Sequence, residues 1–317
     1  MTFIWVSVAV ALHWSQQVPQ LTDAAIDETV RGLSAIVAAE YFDVAVTDRI
    51  TATLEQNRVA GRFASATNAR ELAERLNTVL YSVTRDKHLR VQAIDPQPAK
   101  ESATATTNRR DQPTTAGFTR VEVLPNNLGL LEMTMFLRPI EHREALAAAM
   151  KQLERCDAVI VDMRANGGGS PATVALLMSY FFDEPELPLF EIVPRTGTPD
   201  SYGTEPASAG LIRDGRRPLF ILTSTRTFSA GEGFAYLMQE RKRGVIVGER
   251  TAGAANPGSG YPVNDRFQVT IPNGRVSSAI RRSNWEGTGV DPDIAVPAVQ
   301  ALDAAIQRAT AVLKARP

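Results

Sequence analysis

A single cysteine, Cys156, stands in a chain of 317 residues, so no internal disulfide can form. It lies just before the apolar run Val159-Ile160-Val161 and reads as a buried, unreactive thiol. Charge of one sign is missing too. Lysine and arginine number 34 against 35 aspartates and glutamates, a net charge of -1. That balance excludes a binding mode dominated by nucleic-acid phosphates or an anionic membrane surface. Histidine is scarce, with only three in the chain, and no Cys/His cluster has metal-site spacing. His88 with Asp86 and Asp95 does not make a metal site either, and Gly167-Gly168-Gly169-Ser170 lacks the lysine of a phosphate loop. No cofactor, metal or nucleic-acid partner is expected.

Long hydrophobic runs are also absent. Phe3 to Leu12 is too short to span a bilayer, so no stable membrane insertion is expected, but it suits the apolar region of a signal peptide. No lysine or arginine precedes it, which a start that omits the basic region would explain. The expected location is periplasmic or secreted. The alternative is a short buried helix or strand in a cytoplasmic protein.

What is present divides the chain into residues 1–20, a candidate signal segment; 21–94, a helical bundle; 95–117, a flexible linker; and 118–317, an α/β core. Ile26, Val30, Leu33 and Val37 recur at helical spacing after Thr22-Asp23, a plausible cap. A shorter helix is read over Thr47 to Gln56. Asn68-Ala69-Arg70-Glu71 reads as a capping box ahead of Leu72, Leu76 and Leu80. Asp95 to Gly117 is rich in proline, threonine and serine. From Phe118 onward, apolar strands alternate with helical stretches, the signature of an α/β fold. Phe267 to Ile271, followed by Pro272-Asn273-Gly274, predicts a strand entering a hairpin turn.

The chemistry concentrates in Phe228-Ser229-Ala230-Gly231-Glu232, between the strand Leu219 to Leu222 and a helix beginning near Gly233. A serine at a sharp strand-to-helix junction exposes its hydroxyl, and the next amide faces a developing oxyanion. The loop Arg164-Ala165-Asn166-Gly167-Gly168-Gly169, after the strand Ala158 to Met163, could lend a second amide. Ser229 as a helix cap, and the glycines as a mere tight turn, are the structural alternatives. Of the histidines, His13 and His142 read as structural or solvated.

Together with Val247 to Ala254 and Asn284 to Asp293, these motifs resemble the tail-specific protease superfamily. That group includes the carboxyl-terminal processing proteases, the tricorn core and the modules of interphotoreceptor retinoid-binding protein. The likeness is greatest to bacterial relatives of those modules. It implies a crotonase- or Clp-protease-like core of β-β-α units behind the helical bundle. The processing proteases place a lysine after a Thr-x-Gly stretch. Here Thr251-Ala252-Gly253 is followed by Ala254, which cannot accept a proton. The resemblance implies instead a tricorn-like set of Ser229 as nucleophile, His88 as base and Glu286 as orienting carboxylate. Gly168 and Ala230 would form the oxyanion hole. Tricorn has a serine before its histidine where this chain has Lys87, so direct contact between Glu286 and His88 stays open, and Glu286 could merely cap a turn. With histidine as base, activity should follow an imidazole titration near neutral pH. Only Asp95 to Gly117 is available for an inserted peptide-binding domain, so none is expected. Tricorn has an acidic residue after its nucleophile; Ala230 here implies apolar or small side chains at the cleaved residue. The implied function is a serine peptidase acting on peptide or protein substrates through an acyl-enzyme. A non-catalytic carrier of retinoid-like or fatty ligands is the alternative.

Overall fold

The computed structural model describes residues 21–94 and 117–315. The candidate signal segment, and the linker except for Gly117, lie outside the described residues. Three helices open the described chain: α1 (Asp23–Glu40), α2 (Val44–Val59) and α3 (Ala69–Thr84). Thr22 Oγ1 accepts the Ala25 N–H at 3.2 Å and caps α1. Helix α2 runs longer than its apolar spacing suggested, because Asp43 caps it three residues before Val46. At α3, Asn68 Oδ1 takes the Glu71 N–H at 3.0 Å, but Glu71 reaches Thr67 rather than completing a reciprocal box.

These helices do not close on themselves. Leu33, Leu54, Leu72, Leu76 and Leu80 pack with Leu89, Val91, Phe267, Val269 and Ile271 in one buried cluster. The last five come from or adjoin β1 (Arg90–Ala93) and β10 (Phe267–Pro272), which pair antiparallel, with β9 (Gly258–Pro262) on the other side of β10. This sheet holds the segment just before β1 in place.

The larger sheet has six strands in the order β12-β8-β7-β4-β3-β2. They are β2 (Phe118–Leu124), β3 (Leu128–Met133), β4 (Ala158–Asp162), β7 (Leu219–Thr223), β8 (Val245–Gly248) and β12 (Ile294–Ala295). β2 runs antiparallel to β3 and the remaining pairings are parallel, so this is a mixed α/β sheet. β4 and β7 are buried on both faces, as the uninterrupted apolar runs require. Alternate side chains serve two cores. Val159, Val161, Ile221 and Ile246 join helices α4 (Pro139–Gln152), α5 (Pro171–Met178) and α6 (Ala230–Glu240). Ile160, Phe220, Leu222 and Val247 meet Ala301, Ala305 and Ala309 of α7 (Ala301–Lys314).

A third sheet, β11-β5-β6, is built from β5 (Pro188–Pro194), β6 (Asp200–Gly203) and β11 (Gly274–Ser278). Here a sequence expectation needs correction. Asn273 does not turn a hairpin: β10 and β11 belong to different sheets, and the chain crosses between them. Among the described residues no helix is long and apolar enough to cross a membrane. Leu76 is fully buried where helices meet sheet. Leu76→Ala should therefore lower stability by about 2–5 kcal/mol, read as a shifted midpoint in urea denaturation.

Candidate active site

Ser229 joins β7 to α6 at φ 53° and ψ -119°, a conformation that side chains other than glycine rarely adopt. Glu232 holds it there. Its Oε2 accepts the N–H groups of Ser229 at 2.9 Å and Ala254 at 3.0 Å. Its Oε1 accepts the Thr251 hydroxyl and the Gly253 N–H, each at 2.6 Å. Glu232 is fully buried, and burial pushes its pKa up against the pull of those bonds. Two residues on, Gly231 passes so near Asn166 that an added Cβ would lie 2.7 Å from Asn166 Oδ1. The serine turn and the glycine loop are thus packed backbone against side chain.

His88 arrives from the other end of the sequence. Arg85 leaves α3 in a left-handed conformation, and Asp86 Oδ1 accepts the His88 N–H at 2.9 Å, closing an Asx turn. The imidazole Nε2 then lies 3.1 Å from Ser229 Oγ. The Phe228 ring packs against the imidazole at 4.8 Å between centroids.

Glu286 lies near the same imidazole. Its Oε2 accepts the N–H groups of Ala255 at 2.6 Å and Asn256 at 3.1 Å. Its Oε1 and His88 Nδ1 are both buried without a hydrogen-bond partner among the described residues. One side-chain atom each from Asp86, His88 and Glu286 lies within 4.8 Å of the others, and Asp86 Oδ1 is 4.0 Å from Nδ1. One nitrogen and two carboxylates can share a proton or ligate a cation. Glu286, distant in sequence, completes this group, whereas Asp95 lies outside the described residues.

Burial sets the charges. It lowers the His88 pKa to about 4 and, with the neighbouring charge of Asp86, raises that of Glu286 to about 7. The neutral-range titration that sequence reasoning gave to the imidazole therefore falls to the Glu286 carboxyl. Below that pH a neutral imidazole faces a protonated acid. Above it, the carboxylate can stabilise an imidazolium as it forms.

The glycine loop requires a correction. Gly168 packs its α-carbon against Ser229, but its N–H donates to Asn166 Oδ1 at 2.9 Å and is not free. Among the described residues the N–H groups of Gly169 and Ala230 donate no hydrogen bond. Both residues line a cavity of about 220 Å³ together with Ser229. The cavity walls are apolar: Val174, Ile192, Leu237, Val276 and Trp285 among them. Trp285 is anchored by its indole N–H to the Ala254 carbonyl at 3.0 Å.

Asp86, Glu232 and Asn166 had no role assigned from sequence. The signals were present: an aspartate two residues before His88, an acid at the third position of the serine helix, and an asparagine opening the glycine run. His142 is fully buried and accepts the Leu137 N–H at Nδ1, which makes it structural.

Residues 127–296 match peptidase family S41, and residues 8–123 match the N-terminal domain of S41 peptidases in eukaryotic IRBP. The chain belongs to peptidase family S41. It is 27% identical over 139 residues to the tail-specific protease of Haemophilus influenzae, covering 44% of this chain and 19% of that protein. It is 32% identical over 129 residues to a carboxyl-terminal-processing protease of Synechocystis, covering 40% and 28% respectively. The match thus spans less than a third of either relative. The fold is similar to a crystal structure from Parabacteroides merdae, with a TM-score of 0.64, 20% identity and coverage of 90% and 96%. It is also similar to the tricorn protease, with a TM-score of 0.56, 14% identity and coverage of 92% and 37%.

The raised Glu286 pKa has a consequence for stability. The native carboxyl binds a proton that the unfolded chain, near 4.5, has released, so its stabilisation fades as pH rises from about 4.5 through about 7. The wild-type melting temperature, relative to Glu286→Gln, should fall between pH 5 and pH 8. A constant difference would show that Glu286 titrates normally.

Proposed function

We propose that this chain is a serine peptidase that cleaves peptide or protein substrates through an acyl-enzyme on Ser229. The observation that carries this reading is the 3.1 Å contact between His88 Nε2 and Ser229 Oγ, made by a serine in a strained turn. A neutral imidazole can take the hydroxyl proton during attack and return it to the leaving amine. Glu286, with Asp86 beside it, stabilises the imidazolium between those steps. The free amides of Gly169 and Ala230 receive the oxyanion, in place of the Gly168 and Ala230 pair.

The cavity beside Ser229 supports the specificity expected from Ala230. Its walls suit an apolar side chain on the residue whose carbonyl is attacked. Beside Ser229 the carrier alternative is weaker on size: pockets for drug-sized ligands run from about 300 to 1,000 Å³, whereas the cavity there is about 220 Å³. Export to the periplasm or beyond remains part of the proposal and rests on the Phe3 to Leu12 segment.

Three measurements test the reading. Ser229→Ala should abolish labelling by an alkyl fluorophosphonate while the protein keeps its wild-type circular dichroism; labelling that persists rules out Ser229 as the nucleophile. Peptide turnover should rise with pH through about 7 as Glu286 ionises, and Glu286→Gln should lose that limb and at least a tenfold of rate. In a peptide library, cleavage after leucine, valine or alanine should exceed cleavage after lysine or aspartate.

A further inference from the structure

Two polar atoms beside the proposed base are buried and bond to nothing. His88 Nδ1 and Glu286 Oε1 are shielded from solvent and make no hydrogen bond among the described residues. Buried polar atoms are nearly always paired, and an unpaired one marks strain, a catalytic role, or a place for a water or an ion. Asp86 completes the surroundings. It is 2% exposed, and its Oδ1 lies 4.0 Å from the same Nδ1. Neither carboxylate forms an ion pair with a lysine or arginine among the described residues, so two acids face the ring without a cationic side chain to offset them.

These donors suit a metal ion. One atom each from Asp86, His88 and Glu286 lies within 4.8 Å of the other two. Tetrahedral Zn²⁺ takes nitrogen and oxygen at about 2.0–2.2 Å, which sets its ligands about 3.4 Å apart. The atoms therefore need to close by about 1.4 Å at most, and Glu286 Oε1, held by nothing, is free to move. One imidazole and two carboxylates leave the fourth position to water, a donor set that zinc accepts. Mg²⁺ favours oxygen ligands in a strict octahedron and suits the ring nitrogen poorly.

A metal there would fix the tautomer of His88. A neutral imidazole carries one N–H. To take the hydroxyl proton, Nε2, 3.1 Å from Ser229 Oγ, must hold the lone pair, so the N–H sits on Nδ1. A metal occupies the Nδ1 lone pair and leaves the N–H on Nε2. The ring then donates to Ser229 Oγ and cannot accept its proton. The reactive tautomer and the metal-bound one exclude each other.

We propose that Asp86, His88 Nδ1 and Glu286 form a reversible inhibitory site for Zn²⁺, which silences Ser229 by locking His88 in the wrong tautomer. The binding stands on the donor geometry alone, whereas the inhibition rests on the serine peptidase reading.

The test titrates chelator-treated protein with Zn²⁺ at constant neutral pH. Calorimetry should show about one Zn²⁺ per chain, and Co²⁺ in its place should give the visible absorption of a four-coordinate ion. Asp86→Asn and Glu286→Gln, each checked for wild-type circular dichroism, should weaken Zn²⁺ binding at least tenfold; if one misfolds, the other decides. Ser229→Ala should bind Zn²⁺ as tightly as wild type, because the ion sits on the far ring nitrogen. In the wild type, saturating Zn²⁺ should slow alkyl fluorophosphonate labelling at least tenfold. A chelator should restore it, and Mg²⁺ should leave it unchanged. No saturable binding, or binding that the folded carboxamide variants keep, overturns the site. A Ser229→Ala variant that loses Zn²⁺ moves the ion to Nε2 and overturns the tautomer lock. Zn²⁺ bound through Asp86 and Glu286 with labelling unchanged overturns the inhibition. Metal-free protein that is neither labelled nor active refutes the peptidase reading instead, and the Zn²⁺ titration then still decides the site.

Discussion

The buried carboxylate of Glu232 is the constraint on which the site depends. It gathers N–H groups from Ser229, Gly253 and Ala254 and the hydroxyl of Thr251. A charged group without those donors would be costly at zero exposure. The same four bonds keep Ser229 in its strained turn and fix the segment after β8. Its next two residues, Ala255 and Asn256, present their amides to Glu286. A single side chain therefore links the Ser229 turn to the amides that hold Glu286. Its effect is geometric: one acid organises the backbone and a second is left to titrate.

The division of the chain follows the same logic. His88 comes from the end of the helical region, which is tied to the small sheet through Leu76, Leu89, Phe267 and Val269. Ser229 comes from the larger mixed sheet. The 3.1 Å contact between them thus depends on packing between two separately built cores. The cavity wall also draws on both regions: Gly258 comes from β9 of the small sheet, and Leu237 from the serine helix, with Val276 and Ile192 added by the third sheet.

Much of this was legible in the sequence. The apolar runs at β4 and β7, the capped α1 and the strand-serine-helix order are local patterns, and the α/β class follows from them. The meeting of Ser229 with His88 was legible only through family resemblance, because the two are 141 residues apart. Three matters were not legible. Pro272-Asn273-Gly274 looks like hairpin chemistry, yet whether its flanking strands pair is decided by tertiary contacts and not by the turn. Which glycine amide stays free depends on where Asn166 Oδ1 points, and sequence alone does not give a side-chain direction. The exchange of titration roles between His88 and Glu286 came from burial at the junction of two cores, which no local window reports.

The central claim is that one point above Ser229 is served by a nucleophile, two free amides and an apolar cavity at once. A crystal structure with a leucine-type peptidyl boronate tests it most directly. The account predicts a covalent bond from Ser229 Oγ to boron, a boronate oxygen about 3 Å from the amides of Gly169 and Ala230, and the leucine side chain between Ile192, Val276 and Trp285. An adduct elsewhere, an oxygen held by Gly168 after release from Asn166, or a leucine side chain left in solvent would contradict it.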